Sequence, residues 1–203
     1  MRKTILDEFN ENPEILTKNY NIKKLNAEND NSVEITNELL KELNIPKGNQ
    51  NTLKFIFYEL IGNIYDHSKF SDAYISGKSD NHYFDFIFAD NGISIIDSFR
   101  NAKYSIDNDC DALIKAVNGL STKNDFGYIE RGTGLNNTTN IVVNGFDGEI
   151  LIVSGRAALY MNSKTIIAKK IPKFCNGTKI HLRIDLNSKI DMYNYLNQIE
   201  YRL

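Results

Sequence analysis

The last third of the chain repeats short apolar strand patterns separated by turn-forming residues. Four such segments, GEILIVSG, AALYMNS, TIIAKKI and TKIHLRIDL, follow one another between residues 148 and 186. They are rich in Val, Ile, Leu and Tyr, which is typical of strands, and several of the connections are of hairpin length. Parallel strands would need a crossover of a dozen or more residues between them. This region therefore predicts neighbouring antiparallel strands.

Helical patterns dominate the rest of the chain. The spacing of apolar residues predicts helices over 33–45, 51–67, 109–120, 135–145 and 189–203, and strands over 72–78 and 82–90. In the second of these strands Phe84, Phe86 and Phe88 alternate onto one face. This order of elements predicts an α+β fold. We expect a two-layer sandwich in which helices lie on one face of a mixed, mostly antiparallel sheet.

The bulk composition is that of a globular domain. The chain has 203 residues, 25% of them charged, and a formal net charge of −2. This balance gives no reason to expect nucleic acid or an anionic membrane as the main partner. No segment approaches the roughly 20 apolar residues of a membrane span. The start of the chain does not resemble a signal peptide, and the two cysteines form no CxxC pattern. We expect free thiols and a cytoplasmic protein.

The helix predicted over 51–67 carries a polar stripe within apolar surroundings. At 100° per residue, Glu59, Asn63 and Asp66 fall within about 60° of one another, with His67 at the edge. A carboxylate in such a place can orient or deprotonate a nucleophile. An amide oxygen one turn away can bind a hard cation such as Mg²⁺. A solvated helix face would explain the same residues.

Three further motifs contain glycine. In FADNGIS, Asp90 ends an apolar strand and Gly92 follows in a turn. In ERGTGLNN, Gly132 and Gly134 precede a predicted helix, where free backbone N–H groups can bind phosphate. In CNGT, Thr178 opens the last predicted strand. Turn chemistry can account for each motif taken alone.

Taken in order, the four motifs resemble the GHKL ATPase superfamily, which includes gyrase, a class of heat-shock chaperones, the histidine kinases and the mismatch-repair ATPases. The resemblance covers residues 33–186. ELIGNIYDHS and the Gly-Leu start of a helix look most similar to histidine-kinase-like ATPase domains of the anti-sigma-factor serine-kinase kind. The resemblance implies a Bergerat-type ATP-binding domain over 33–203. We expect residues 1–32 to form an extension packed on this domain.

The resemblance also implies roles for individual residues, with ATP and Mg²⁺ as cofactors. Glu59 would be the general base or would orient the attacking group, and Asn63 would hold Mg²⁺. Residues 118–131 would form a lid over the nucleotide. The remaining implied contacts surround the ATP: Asp66 and His67 near the sugar and phosphates, Asp90 and Gly92 at the adenine, Thr178 beside Asp90, Gly132, Thr133, Gly134 and Leu135 at the phosphates, and Lys123 and Arg131 as the nearby cations.

The chain departs from the family pattern at two glycines. Ser94 stands at the second glycine of the usual DxGxG, and Asn136 stands where histidine kinases have a third glycine in the phosphate loop. No pair of phosphoacceptor helices is expected in residues 1–50. These differences argue against a stand-alone sensor histidine kinase and against fast ATP turnover by the isolated chain.

Three functions remain open from the sequence. The protein could bind ATP and phosphorylate or sequester a protein partner. It could instead be an ATP-driven switch or slow ATPase whose lid state controls an effector or a homodimer. It could also bind a ligand without catalysis, although binding alone does not need a base such as Glu59.

Overall fold

The structure is a computed structural model that describes residues 3–17, 21–80, 83–120, 134–185 and 189–196. Its strands are β1 (Lys23–Lys24), β2 (Ala73–Ser79), β3 (Phe84–Asp90), β4 (Glu149–Asn162) and β5 (Thr165–Ile184). They form one five-stranded sheet in the order β1-β2-β3-β5-β4. Each pair of neighbours in this sheet is antiparallel.

The helices of the described residues are α1 (Ile5–Glu11), α2 (Ser32–Glu42), α3 (Gln50–Asn63), α4 (Ile95–Asn101), α5 (Asp109–Val117) and α6 (Gly134–Asn140). Single π-helical turns, Ile64–Ser68 and Ile141–Gly145, extend α3 and α6. This arrangement confirms the predicted α+β sandwich. None of the described helices is both long and apolar enough to span a bilayer.

The main core lies between the helices and one face of the sheet. Phe57 of α3 packs its ring edge-on against Phe86 and Phe88 of β3, with 5.0 Å between the ring centroids in each pair. All three side chains are almost fully buried. Such edge-to-face pairs add about 1 kcal/mol each beyond the burial of their area. The alternation of phenylalanines in β3 therefore fixes α3 against the centre of the sheet.

The N-terminal segment covers part of the opposite face. Thr4 caps α1 by accepting a hydrogen bond from the backbone N–H of Asp7. From α1 and the following 3₁₀ turn, Pro13–Thr17, buried apolar side chains pack onto β4: Ile5, Phe9, Ile15 and Leu16 against Leu151, Val153, Ala158 and Tyr160. The main helical layer lies on one face, as predicted, and this segment adds a partial cover on the other.

The four predicted C-terminal strands form only two. The expected turn near Gly155 is a β-bulge within β4, where the pairing register with β5 shifts. Gly155 has φ +60° and Gly177, within β5, has φ +68°. Glycine adopts these left-handed conformations without the clash that a Cβ would cause, so each strand bends and then resumes its pairing.

The predicted C-terminal helix is wrong over its described part. Residues 189–196 contain one short 3₁₀ turn, Met192–Asn194, which Asp191 caps by accepting from the N–H of Tyr193. Apolar side chains on both sides of this turn, including Ile190 and Leu196, pack against the main core. Packing against the core therefore determines the backbone conformation of residues 189–196. Residues 197–203 lie outside the described ranges.

Candidate functional site

Asp90 ends β3 as a buried carboxylate that is held by backbone groups. Asp90 is only 6% exposed to solvent. The N–H of Gly92 donates to Oδ1 at 2.9 Å, and the N–H of Thr178 donates to Oδ2 at 3.2 Å. The hydroxyl of Ser68 lies beside the carboxyl and is itself buried without a hydrogen-bond partner of ordinary geometry. Both oxygens are thus fixed, and no described cation pairs with them.

This environment changes the ionisation of Asp90. Burial raises its pKa to about 6, although the N–H groups of Gly92 and Thr178 and the Ser68 hydroxyl favour the ionised form. Desolvation exceeds these interactions because dipoles alone replace the lost water. A buried carboxyl with a strongly raised pKa is a common property of functional sites.

Two glycines allow the backbone to close around this carboxylate. An added Cβ at Gly92 would overlap the carbonyl oxygen of Ser68, and one at Gly177 would overlap Asp90 itself. The carbonyl of Ser68 also accepts the N–H of Ile93 at 2.7 Å. The turn after β3 is therefore bound directly to the end of the α3 extension, which unites two of the four sequence motifs.

Thr178 connects this turn to β4. Its hydroxyl lies 3.1 Å from the hydroxyl of Ser154, which donates to the carbonyl of Gly177 at 2.7 Å. Ser154 in turn accepts the N–H of Ile95 at 2.9 Å, at the start of α4. The sequence analysis did not identify Ser154. Its only signal there is a hydroxyl within an otherwise apolar strand.

Glu59 meets the third motif. Its carboxylate lies against the Cα of Gly134, the first residue of α6, since an added Cβ there would overlap Oε2. Glu59 and Gly134 are both half-buried. A side chain at position 134 would therefore displace the Glu59 carboxylate from its present place.

The rest of the predicted polar stripe divides at the end of α3. Asn63 is the last residue of α3 and is half-buried, whereas Asp66 is exposed and His67 is partly buried in the π turn. The wider turn changes the angular spacing that the straight-helix prediction assumed. Asn63 supplies the amide oxygen that could hold Mg²⁺. Within the described ranges, no three His, Cys, Asp or Glu side chains form a metal-binding group.

One predicted phosphate-binding residue packs in the core, and several others lie outside the described residues. Leu135 is half-buried in α6 and packs against the apolar core. The remaining phosphate-loop and cation predictions lie outside the described residues: Lys123, Arg131, Gly132 and Thr133. The same is true of the predicted lid from residue 121 onward.

Ser94 and Asn136, which depart from the glycine pattern of the resembled family, have structural partners. Ser94 caps α4 by accepting the N–H of Asp97 at 3.2 Å. Asn136 donates from its side-chain amide to the carbonyl of Val117 at 2.6 Å, which joins α6 to the end of α5. Each polar side chain thus forms a hydrogen bond with a backbone group at a helix end, which a glycine could not do.

A second polar cluster, which the sequence analysis missed, lies on the opposite face of the sheet. Arg183 donates from Nε to Oδ1 of Asp85 at 2.6 Å, and its two terminal nitrogens donate to Glu8 of α1 at 3.1 Å each. His181 also contacts Asp85, with 3.1 Å between Nε2 and Oδ1. Burial by itself would raise the pKa of Asp85, but His181 and Arg183 hold it well below its usual range.

The chain matches no family model and no curated protein in the comparisons made. The resemblance to ATP-binding domains therefore depends on the four motifs. The structure brings the described parts of these motifs together in two groups: Asp90 with Ser68 and Thr178, and Glu59 with Gly134.

Proposed function

We propose that this protein binds Mg²⁺–ATP and regulates a protein partner, as histidine-kinase-like ATPase domains do. The observation that carries the proposal is the environment of Asp90. Asp90 is a buried carboxylate with no described cationic partner, and burial raises its pKa to about 6, so its ionised form is costly to the fold. An adenine amino group would add a hydrogen-bond donor to the backbone N–H groups that already hold this carboxylate.

The other motif residues fit the same proposal. Asn63 would bind Mg²⁺ together with phosphate oxygens and water, since Mg²⁺ often takes only one or two protein ligands. Gly92 and Thr178 would hold Asp90 in position. His67 and Asp66 would approach the sugar and phosphates, and residues 132–135 would bind the phosphates.

Glu59 is the residue that would make the protein an enzyme rather than a binding module. We propose that it activates the group attacking the terminal phosphate, either a partner's hydroxyl or water. Transfer to a hydroxyl would make the protein a serine/threonine kinase of the anti-sigma type. Transfer to water would make it a slow ATPase or switch. We place it in the cytoplasm, with a protein partner and a possible homodimer.

Thermal unfolding with nucleotides tests the binding proposal. Mg²⁺–ATP should raise the Tm at pH 7.5, and Mg²⁺–GTP should do so much less, because the guanine carbonyl would meet the lone pairs of Asp90. Asp90→Asn should abolish the ATP shift, whereas Asp72→Asn, at an exposed position, should keep it. Equal shifts with ATP and GTP in the wild type would refute the adenine assignment.

Single-turnover transfer from labelled ATP tests the catalytic proposal. Glu59→Ala should retain ATP binding by calorimetry and lose on the order of 10²–10⁴-fold in transfer rate, since a base acts in the transition state. Asn63→Ala should weaken binding as well, with partial recovery in excess Mg²⁺. Label on a protein from a cell extract would support the kinase, and label only in free phosphate would support the switch. Unchanged transfer by Glu59→Ala would exclude its role as a base.

A further inference from the structure

The hairpin of β4 and β5 extends beyond the rest of the sheet and has an unpaired edge. β5 pairs with β4 from residue 165 onward, but it pairs with β3 only over residues 179–184. Along 165–175, no strand of the described residues pairs with the other edge of β5. Such an edge offers backbone N–H and C=O groups to an incoming strand. Pro172 lacks an N–H and therefore limits the continuous edge to 165–171.

Two large apolar side chains on this edge are exposed. Ile166 is 65% exposed and Ile167 is 37% exposed, although β-branched residues usually gain from packing in a sheet. Since neighbouring residues of a strand point to opposite faces, one isoleucine lies on each face of the edge. The side chains of a strand added here would pack beside Ile166 on one face of the sheet and beside Ile167 on the other.

The same edge is strongly basic in a chain that is acidic overall. Residues 150–184 contain seven of the 24 basic residues and none of the 26 acidic ones. Four of the seven lie along the edge: Lys164, Lys169, Lys170 and Lys173. None of these four forms a salt bridge with another described residue. Lys169 donates to Asn10 and lies over the ring of Phe9, so an acidic strand would supply counter-charges chiefly to the other three.

We propose that residues 165–171 of β5 bind an acidic, extended segment of a partner protein, which joins the sheet as a sixth strand. A second copy of this edge is a poorer occupant, because it would bring a second set of lysines and no carboxylate to the same edge. The unpaired backbone and the exposed isoleucines favour a peptide over nucleic acid, which needs neither. Residues 165–171 include none of the residues that contact Asp90, so the proposal can be tested without nucleotide.

Peptide binding to the whole chain without nucleotide tests this proposal. The probe is a fluorescent nine-residue peptide of alternating Glu and Val, measured by anisotropy. We expect saturable binding and slower amide exchange at residues 165–171. Lys164→Glu with Lys173→Glu should weaken binding at least tenfold, whereas Lys41→Glu with Lys47→Glu, exposed lysines on the helical side, should leave it unchanged.

Two control peptides separate strand addition from simple charge attraction. A peptide of alternating Lys and Val should not bind. A peptide of alternating Glu and Pro keeps the charge but lacks half of the N–H groups, and it should bind at least tenfold more weakly than the Glu–Val peptide. Equal binding of the two acidic peptides would overturn the proposal, as would no binding of the Glu–Val peptide. Slower exchange at 165–171 on self-association alone would assign the edge to a second copy and also overturn it.

Discussion

Asp85 and Asp90 lie five residues apart on β3, on opposite faces of the sheet, and are 4% and 6% exposed. Their pKa values nevertheless move in opposite directions. Burial dominates at Asp90 and raises its pKa to about 6, whereas at Asp85 the neighbouring His181 and Arg183 outweigh burial and lower it. The difference lies in their partners: Asp85 forms salt bridges with Arg183 and Lys78, whereas Asp90 has backbone N–H groups and a hydroxyl.

The comparison separates a structural carboxylate from a candidate binding carboxylate. Asp85 connects β3 and β5 to the N-terminal helix through Arg183 and Glu8, so its interactions serve the fold. Asp90 in its ionised form is costly to the fold, and a ligand that donates a hydrogen bond would offset this cost. Changes near Asp85 should therefore act on stability, and changes near Asp90 on pH dependence and ligand binding.

The largest expected effect is on the Asp85 side. Arg183→Met should lower the free energy of unfolding by about 3–5 kcal/mol, because Asp85 would stay buried without its main cation. Urea denaturation measures this loss. Arg100→Met is the matched control, since Arg100 is an exposed residue paired with Asp97 at 3.1 Å, and it should cost less than about 0.5 kcal/mol. A loss below 1 kcal/mol for Arg183→Met would refute the structural role of the network.

The second prediction concerns the pH dependence of stability. The pKa of Asp90 is higher in the folded state than in the unfolded state, so its stabilising contribution is complete below pH 4 and is lost as pH rises through 6. A shift of about two pKa units corresponds to about 3 kcal/mol. Denaturation curves between pH 4 and 7.5 should show this loss in the wild type and not in Asp90→Asn.

Asp85 gives the opposite sign in a different range. Because its folded pKa is lowered, its contribution is present above about pH 4 and is lost only as pH falls further. Asp85→Asn should therefore reduce stability and keep the wild-type slope between pH 5 and 7.5. If Asp90→Asn also keeps that slope, Asp90 does not ionise in this range.

The sequence distinguished these two aspartates only in part. The DNG turn identified Asp90, whereas no sequence motif singled out Asp85, which lies between Phe84 and Phe86 on the same strand. The partners of Asp85 could not be predicted, because Glu8 and Arg183 are 175 residues apart in the chain and meet only when α1 covers the sheet. No local pattern encodes such a contact.

The strand boundaries show the same limit. Gly155 and Gly177 are typical of turns, and the sequence predicted strand breaks near them. Whether a glycine with positive φ makes a turn or a bulge depends on the pairing partner, which the local sequence does not specify. The contact of Glu59 with Gly134 likewise depends on how α3 and α6 pack.

The third prediction uses ligand binding to separate the two carboxylates. Between pH 8 and 5 the affinity for Mg²⁺–ATP should fall about tenfold, about 1.4 kcal/mol, as Asp90 becomes protonated with its pKa of about 6. The affinity for Mg²⁺–GTP should not fall in parallel, because a protonated Asp90 can donate to the guanine carbonyl. GTP also controls for protonation of the phosphates. If the ratio of the ATP and GTP affinities stays constant between pH 8 and 5, Asp90 does not recognise the nucleobase.

The smallest effect on stability is expected at Gly134. The three atoms nearest to an added Cβ there all belong to Glu59, and the closest is a carboxylate oxygen at the far end of a flexible side chain that can rotate away. Alanine also favours helix over glycine, so Gly134→Ala should change the free energy of unfolding by less than about 1 kcal/mol in either direction. Displacement of Glu59 should nevertheless slow single-turnover phosphoryl transfer, because a misplaced base loses its geometry in the transition state.

Gly62→Ala is the control, since a Cβ at this position of α3 has no neighbour within 4 Å, and it should stabilise the helix and keep the transfer rate. If Gly134→Ala instead unfolds the protein and leaves transfer by the remaining folded fraction unchanged, the contact with Glu59 belongs to the fold, as the contacts of Asp85 do, and not to catalysis.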